Sequence, residues 1–407
     1  MSNPYLRALS AALAIALPCA SIGSAPPSTT GKDARWGGAW GYATSPATRS
    51  VRGTLPAGTF RFRLQLSQSG DGLALRFTDP EESVPLQIAR VSAARAIDAE
   101  GFATDPASDR PVRFAGGDGA TIAAGQSMAS LPVDFAATSG EDVIVSVTTA
   151  APSTTVAGHA AFPIGFDEGA PSPDGSGFAA QQLRPFLSAV LVRNPPTTCT
   201  IIALGDSITE GARGVRVGWH GWPGSLAERL TSEQPARHCG VVNMGISGNR
   251  LLRDGRGTAG IARFDRDVAS IPGASYLIVL EGINDIWHAG QPGEPPVSAA
   301  DLIAGYRSLI AAAHAHGLRV IGATLTPGFG SKYLSRDMEE VRQAANTWIR
   351  TGGGFDGVID FEAAVRDAGS PPAMRPQYDS GDHLHPGDLG YAAMAHAVPL
   401  SLLHPVP

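Results

Sequence analysis

Thr200-Ile201-Ile202-Ala203-Leu204-Gly205-Asp206-Ser207-Ile208-Thr209-Glu210-Gly211 joins a short β-branched apolar run to a small, polar segment. The run has the length of a buried strand and no helical period. Similar runs recur at 241–244, 276–280, 319–325 and 357–361, with helical patterns between them. The clearest helix spans Ser298 to His316. Ser298 caps it, Leu302, Ile303, Tyr306, Leu309, Ile310 and Ala313 form its apolar stripe, and Gly317 stops it. Asp337 to Arg350 reads as a second helix. Strand–helix alternation predicts an α/β domain, a parallel sheet with helices on both faces. Its ligand site belongs beyond the carboxyl ends of the strands, where strand order switches.

Upstream, the period changes. Thr59-Phe60-Arg61-Phe62-Arg63-Leu64-Gln65-Leu66 alternates apolar and polar residues, as a half-buried strand does. Gly70-Asp71-Gly72 reads as a turn, and Leu73 to Phe77 alternates back, so the two runs are expected to form a hairpin. Leu86 to Ala94 and Asp142 to Thr149 are further strands, and the whole reads as a β-sandwich. Gly165 to Gly177, rich in Gly and Pro, reads as a loop or linker. The expected division is 1–25 as an export signal, 26–196 as the β-sandwich and linker, and 197–407 as the α/β domain.

Each strand end carries polar residues: Gly205-Asp206-Ser207, then Gly245-Ile246-Ser247-Gly248-Asn249, then Gly282-Ile283-Asn284-Asp285, and near the end Asp382-His383-Leu384-His385. A serine hydroxyl becomes a nucleophile when a base takes its proton. Ser207 supplies the hydroxyl and His385 the imidazole, while Asp382, three residues earlier, can hold the ring and its tautomer. The backbone N–H groups of Ser207 and Gly248 and the side-chain amide of Asn284 are candidate donors to an oxyanion. Asp206 and Asp285 are read as partners of loop amides. His383 competes with His385 but lacks an Asp at the matching offset. The Asp-His-Leu-His run suggests a metal site only if a further His/Cys cluster joins it. Asn249 and Trp287 are candidate pocket residues, with Arg250, Trp219, His220 and Trp222 close to the motifs.

These four blocks, in this order, resemble the SGNH (GDSL) hydrolase superfamily over roughly Ile201 to Leu403. The N-terminal part, from Trp36-Gly37-Gly38-Ala39-Trp40, resembles the β-sandwich that precedes this domain in secreted bacterial esterases. The resemblance implies a flavodoxin-like sheet of five parallel strands and no metal or organic cofactor. It also implies Ser207, His385 and Asp382 as the triad of a serine esterase, with Ser207, Gly248 and Asn284 as its oxyanion hole. Acetyl or other short acyl esters, including carbohydrate-linked ones, are the expected substrates. A lysophospholipase-like lipid acyl-hydrolase and a non-catalytic carbohydrate-binding surface protein are the alternatives.

Composition bounds the partners. The 407 residues carry a formal net charge of −6, with 43% hydrophobic and 17% charged residues. Such a chain has ample apolar surface for two cores and lacks the basic footprint of a nucleic-acid binder. Arg7 followed by the apolar run Ala8 to Leu17 and then Pro18 reads as an export signal, cut between Ala20 and Ala25. That run is too short to span a bilayer, so no stable membrane anchor is expected. Export to a periplasmic or extracellular, oxidising space favours a disulfide between Cys199 and Cys239, each six residues before a strand-end glycine. Two free half-buried thiols are the alternative.

Overall fold

The computed structural model describes residues 34–45, 52–79, 84–157, 162–169, 171–184, 186–235 and 239–403. The export-signal expectation lies outside them. Strands β1 (Thr200–Gly205), β2 (Gly240–Gly245), β3 (Ala274–Leu280), β4 (Arg319–Ala323) and β5 (Gly357–Ile359) form one parallel sheet. Their order is β2-β1-β3-β4-β5, the flavodoxin-like arrangement, in which a crevice opens where β1 and β3 part. Every residue of β1 is buried, which is why its sequence is apolar without alternation.

Among the described residues, seven α-helices flank the sheet or close its ends. Helix α1 (Ser207–Glu210) leaves β1 at once, and α2 (Gly221–Glu233) runs alongside β2. Helix α3 (Ile283–His288) leaves β3. Helix α4 (Ala299–Ala315) begins at Ser298, whose hydroxyl and the Asp301 carboxylate close a capping box. Helices α5 (Arg336–Thr351), α6 (Phe361–Val365) and α7 (Asp388–Ala397) complete the layer.

Cys199 and Cys239 precede the paired residues Thr200 and Gly240 and are joined by a disulfide. Closing a loop of this length contributes about 3–4 kcal/mol on the chain-entropy model. A Cys199→Ala, Cys239→Ala double variant should lose about that much in urea unfolding and keep its activity at 25 °C. Unchanged stability would contradict the assignment.

The N-terminal half is a β-sandwich of antiparallel sheets. One sheet centres on Leu187–Arg193, paired with Trp36–Gly41 on one side and Gly70–Thr78 on the other. The facing sheet centres on Thr59–Gln65 and Asp142–Thr149. Phe60, Phe62 and Leu64 from the second pack with Leu73, Leu75, Phe77, Val190 and Val192 from the first.

Three expectations change here. Thr59–Gln65 and Gly70–Thr78 do not form a hairpin: they lie in opposite sheets, joined across the sandwich. Alternation marks which face is apolar and carries no information about the partner strand. The polar face of Thr59–Gln65 is also covered. Arg61 donates to Phe102 O at 2.7 Å, and Arg63 pairs with Asp142 and donates to Gly101 O. Finally, Ile164–Asp167, which overlaps the start of the expected Gly165–Gly177 loop, is a strand paired with Thr59–Gln65. Gly165 serves there as a point of close approach, since a Cβ on it would stand 2.7 Å from the Phe102 ring.

The two halves share a core. Trp36, Ala43, Ala74, Ala189 and Leu191 face away from the sandwich interior and join the apolar cluster of the parallel sheet. The edge strand β2 lies under Trp36–Gly41. Ser67 Oγ accepts from Val241 N–H at 2.8 Å, Gly38 N–H donates to Thr200 Oγ1 at 2.9 Å, and Trp219 N–H donates to Gln65 Oε1 at 2.7 Å. A free sheet edge invites pairing with other chains, and here the sandwich covers it.

Candidate active site

Asp206 starts α1 by accepting the Ile208 N–H at 2.9 Å, which turns the chain sharply out of β1 and leaves Ser207 at the first helical position. The Ser207 hydroxyl lies 2.8 Å from His385 Nε2. The other ring nitrogen, Nδ1, lies 2.8 Å from Asp382 Oδ2. Asp382 Oδ1 meanwhile accepts the backbone N–H groups of His385 at 2.9 Å and Leu384 at 3.1 Å. One short loop therefore fixes both the carboxylate and the imidazole. Burial works against the charge on Asp382, but the hydrogen bonds from His385 and Leu384 outweigh it and hold its pKa down to about 2. Arg213 adds a nearby charge, its Nε 3.4 Å from Asp382 Oδ2.

The oxyanion candidates stand around the same point. Gly248 adopts φ 75°, a conformation other residues enter only with strain, and the Arg256 side chain packs where a Cβ would go. The N–H groups of Ser207 and Gly248 take no protein acceptor among the described residues. Asn284 uses its amide to donate to Asn249 O at 2.9 Å, which leaves its second amide hydrogen for a ligand. Ser207, Gly248, Asn284 and His385 all line one cavity of about 620 Å³. Trp287 and Tyr333, packed edge to face at 4.9 Å, form part of its wall.

Other expectations divide. Asn249 is not a pocket residue. Its side chain is fully buried, donates to Arg256 O and Thr258 O, and accepts from Arg263 Nε at 2.9 Å. It acts on the cavity only by presenting its carbonyl to Asn284. Trp222 is core, its ring tilted against Phe361 at 5.2 Å, and Trp219 lies in a separate small cleft with Trp40 and Phe162. His220 reaches the cavity wall. Asp285 accepts from Leu251 N–H and Leu252 N–H, as read. His383 pairs with Asp379 at 2.6 Å and is largely exposed. Among the described residues no cluster of His, Cys, Asp and Glu is arranged to hold a metal ion, and no helix is long and apolar enough to cross a membrane.

Two groups escaped the sequence reading. Arg263, fully buried, donates to Gly205 O at 3.0 Å and Met244 O at 2.7 Å, tying together the ends of β1 and β2. Nothing in its neighbourhood signals that role. Glu210 sits inside the Gly205–Gly211 block, and its burial is invisible until the N-terminal half is in place.

Residues 203–393 match the model of the GDSL-like lipase/acylhydrolase family. No curated protein matches the chain. Among solved structures, a GDSL-like lipase from Bacteroides thetaiotaomicron is 20% identical at a TM-score of 0.38, covering 49% of this chain and 85% of that one. An acetylxylan esterase from Geobacillus stearothermophilus is 23% identical at a TM-score of 0.38, covering 49% of this chain and 92% of that one.

Proposed function

We propose that the protein is a serine esterase acting on small acyl esters through an acyl-enzyme, a reading supported by the match of residues 203–393 to the GDSL-like lipase/acylhydrolase model. The observation that carries this reading is the unbroken line of hydrogen-bond distances from Ser207 through His385 to Asp382, with Ser207 and His385 lining the cavity. Ser207 Oγ attacks the ester carbonyl while His385 Nε2 takes its proton. The tetrahedral oxyanion receives the N–H groups of Ser207 and Gly248 and the Asn284 amide. Collapse breaks the ester C–O bond, and His385 returns the proton to the departing alcohol. Water then attacks the acyl-serine, giving its proton to His385, which passes it to Ser207 Oγ as the C–Oγ bond breaks and the carboxylic acid leaves.

The cavity supports a small, polar-bearing ester. Its volume is that of a drug-sized ligand site, and its wall sets Trp287 and Tyr333 beside Gln182, Arg213 and Arg256. A carbohydrate-linked acetyl or short acyl group fits that mixture better than a long alkyl chain. We also propose export, supported by the Arg7 to Ala25 segment and the Cys199–Cys239 disulfide.

A fluorophosphonate probe should label Ser207 in the full-length protein, and p-nitrophenyl acetate should be turned over. A non-catalytic binder would do neither. With Asp382 held at about 2, the carboxylate stays charged through weak acid. An acid limb of kcat/KM in that range should then come from loss of the neutral base and not from Asp382. A profile flat through weak acid would remove His385 as the base.

A further inference from the structure

Glu210 is the buried meeting point of the two halves. Its carboxyl accepts the Ser247 backbone N–H at 2.6 Å and also the Ser247 hydroxyl. From the sandwich side it receives the Tyr42 hydroxyl and, at 3.3 Å, an Arg184 guanidinium nitrogen. Both Tyr42 and Glu210 are 1% exposed, so these bonds form out of water. Burial, reinforced by the neighbouring Glu210, pushes the Tyr42 hydroxyl well above its usual range, which keeps its proton available to donate. Ser247 immediately precedes Gly248, whose N–H belongs to the proposed oxyanion site. The turn that carries both is otherwise held by the Asn249 N–H bond to Ile246 O and by the buried Asn249 side chain.

We infer that Tyr42 and Arg184 of the β-sandwich are positioning residues for ester hydrolysis: through Glu210 they hold Ser247, and with it the Gly248 N–H, in register with Ser207. The inference rests on the esterase reading and extends it, because it places part of the catalytic geometry in the control of the N-terminal half. The chemistry requires such support. A preorganised oxyanion donor is effective only within a few tenths of an ångström of where the oxyanion forms, and a displacement of about 1 Å can cost 10²-fold in rate. A carboxyl that takes two bonds from one residue fixes that residue's orientation. The same carboxyl bonded to a tyrosine and an arginine from another domain cannot drift with the turn.

The test uses the full-length protein. Tyr42→Phe removes one hydroxyl and preserves the ring packing against Trp40 and Phe162. Its kcat on p-nitrophenyl acetate should fall about tenfold with KM within about twofold, and fluorophosphonate labelling of Ser207 should slow by the same factor. Adding Ser247→Ala should cost less than the product of the two single effects, since both act through Glu210. If Tyr42→Phe folds poorly, Ser247→Ala alone supplies the same kcat-against-KM split from inside the catalytic domain. Unchanged kcat and labelling in a variant whose melting point has dropped would reduce the network to interface packing and overturn the inference. If the wild-type protein neither turns over ester nor labels, the esterase reading falls and takes the inference with it. An active wild type with an indifferent Tyr42→Phe removes only the inference.

Discussion

Ser207→Ala should lower kcat on p-nitrophenyl acetate by about 10⁴- to 10⁶-fold while leaving the melting temperature within a few degrees of wild type. The size follows from what the substitution takes away. Without the hydroxyl no acyl-enzyme forms, and the two-step route is replaced by direct attack of water. The cavity, the Asn284 amide and the Gly248 N–H remain, so the residual rate should still exceed that of the uncatalysed reaction by about 10³-fold. Stability changes little because the serine oxygen's bond to His385 is its only one to another side chain among the described residues. The start of α1 is held by Asp206, which the substitution does not touch. A variant retaining a tenth of wild-type turnover would remove Ser207 as nucleophile, whatever the geometry around it.

How far the sequence discloses this arrangement depends on the range of the forces involved. The parallel sheet is legible because its central strands, β1 above all, are buried on both faces and read as apolar runs, and because Ser298 and Gly317 mark the ends of α4 by local chemistry. Ser207, Gly248, Asn284, Asp382 and His385 are legible as a set because they fall where strands end. The sandwich is legible only as a class. Leu187–Arg193, the strand at the centre of its first sheet, follows a Pro- and Gly-rich stretch and is absent from the strands expected from sequence. The alternation in Thr59–Gln65 hides two arginines whose polar partners lie 35 to 85 residues away. Asn249 looks like a pocket residue because it neighbours Gly248. Its burial depends on Arg263, which no local pattern announces. The Tyr42–Glu210 bond spans 168 residues. Such contacts follow from packing two domains together, and no periodicity in one segment encodes them.

That packing sets the second large effect, on a chain shortened to begin at residue 197. It should fail to accumulate as a soluble monomer, or should melt at least 15 °C lower and lose more than 90% of its kcat/KM, losses within reach of deleting a shared core. The truncation uncovers the side of the parallel sheet that Trp36, Ala43, Ala74, Ala189 and Leu191 now cover. Each large side chain re-exposed costs about 1.5–3 kcal/mol, and a domain has only about 5–15 kcal/mol in total. It also strips Ser67 from Val241 and opens the β2 edge to pairing with other chains. The disulfide does not compensate, because Cys199 and Cys239 join β1 to β2 at the foot of the sheet and bury nothing on its open side. Activity should suffer beyond stability, since Glu210 loses Tyr42 and Arg184 together. Adding residues 34–196 as a separate chain tests whether the seam alone suffices: a regained melting point and regained kcat would show that the interface, rather than the covalent link, supports the site. A soluble 197–407 fragment with full kcat/KM would instead make the sandwich an independent module, and the shared core would then be a docking face of little energetic weight.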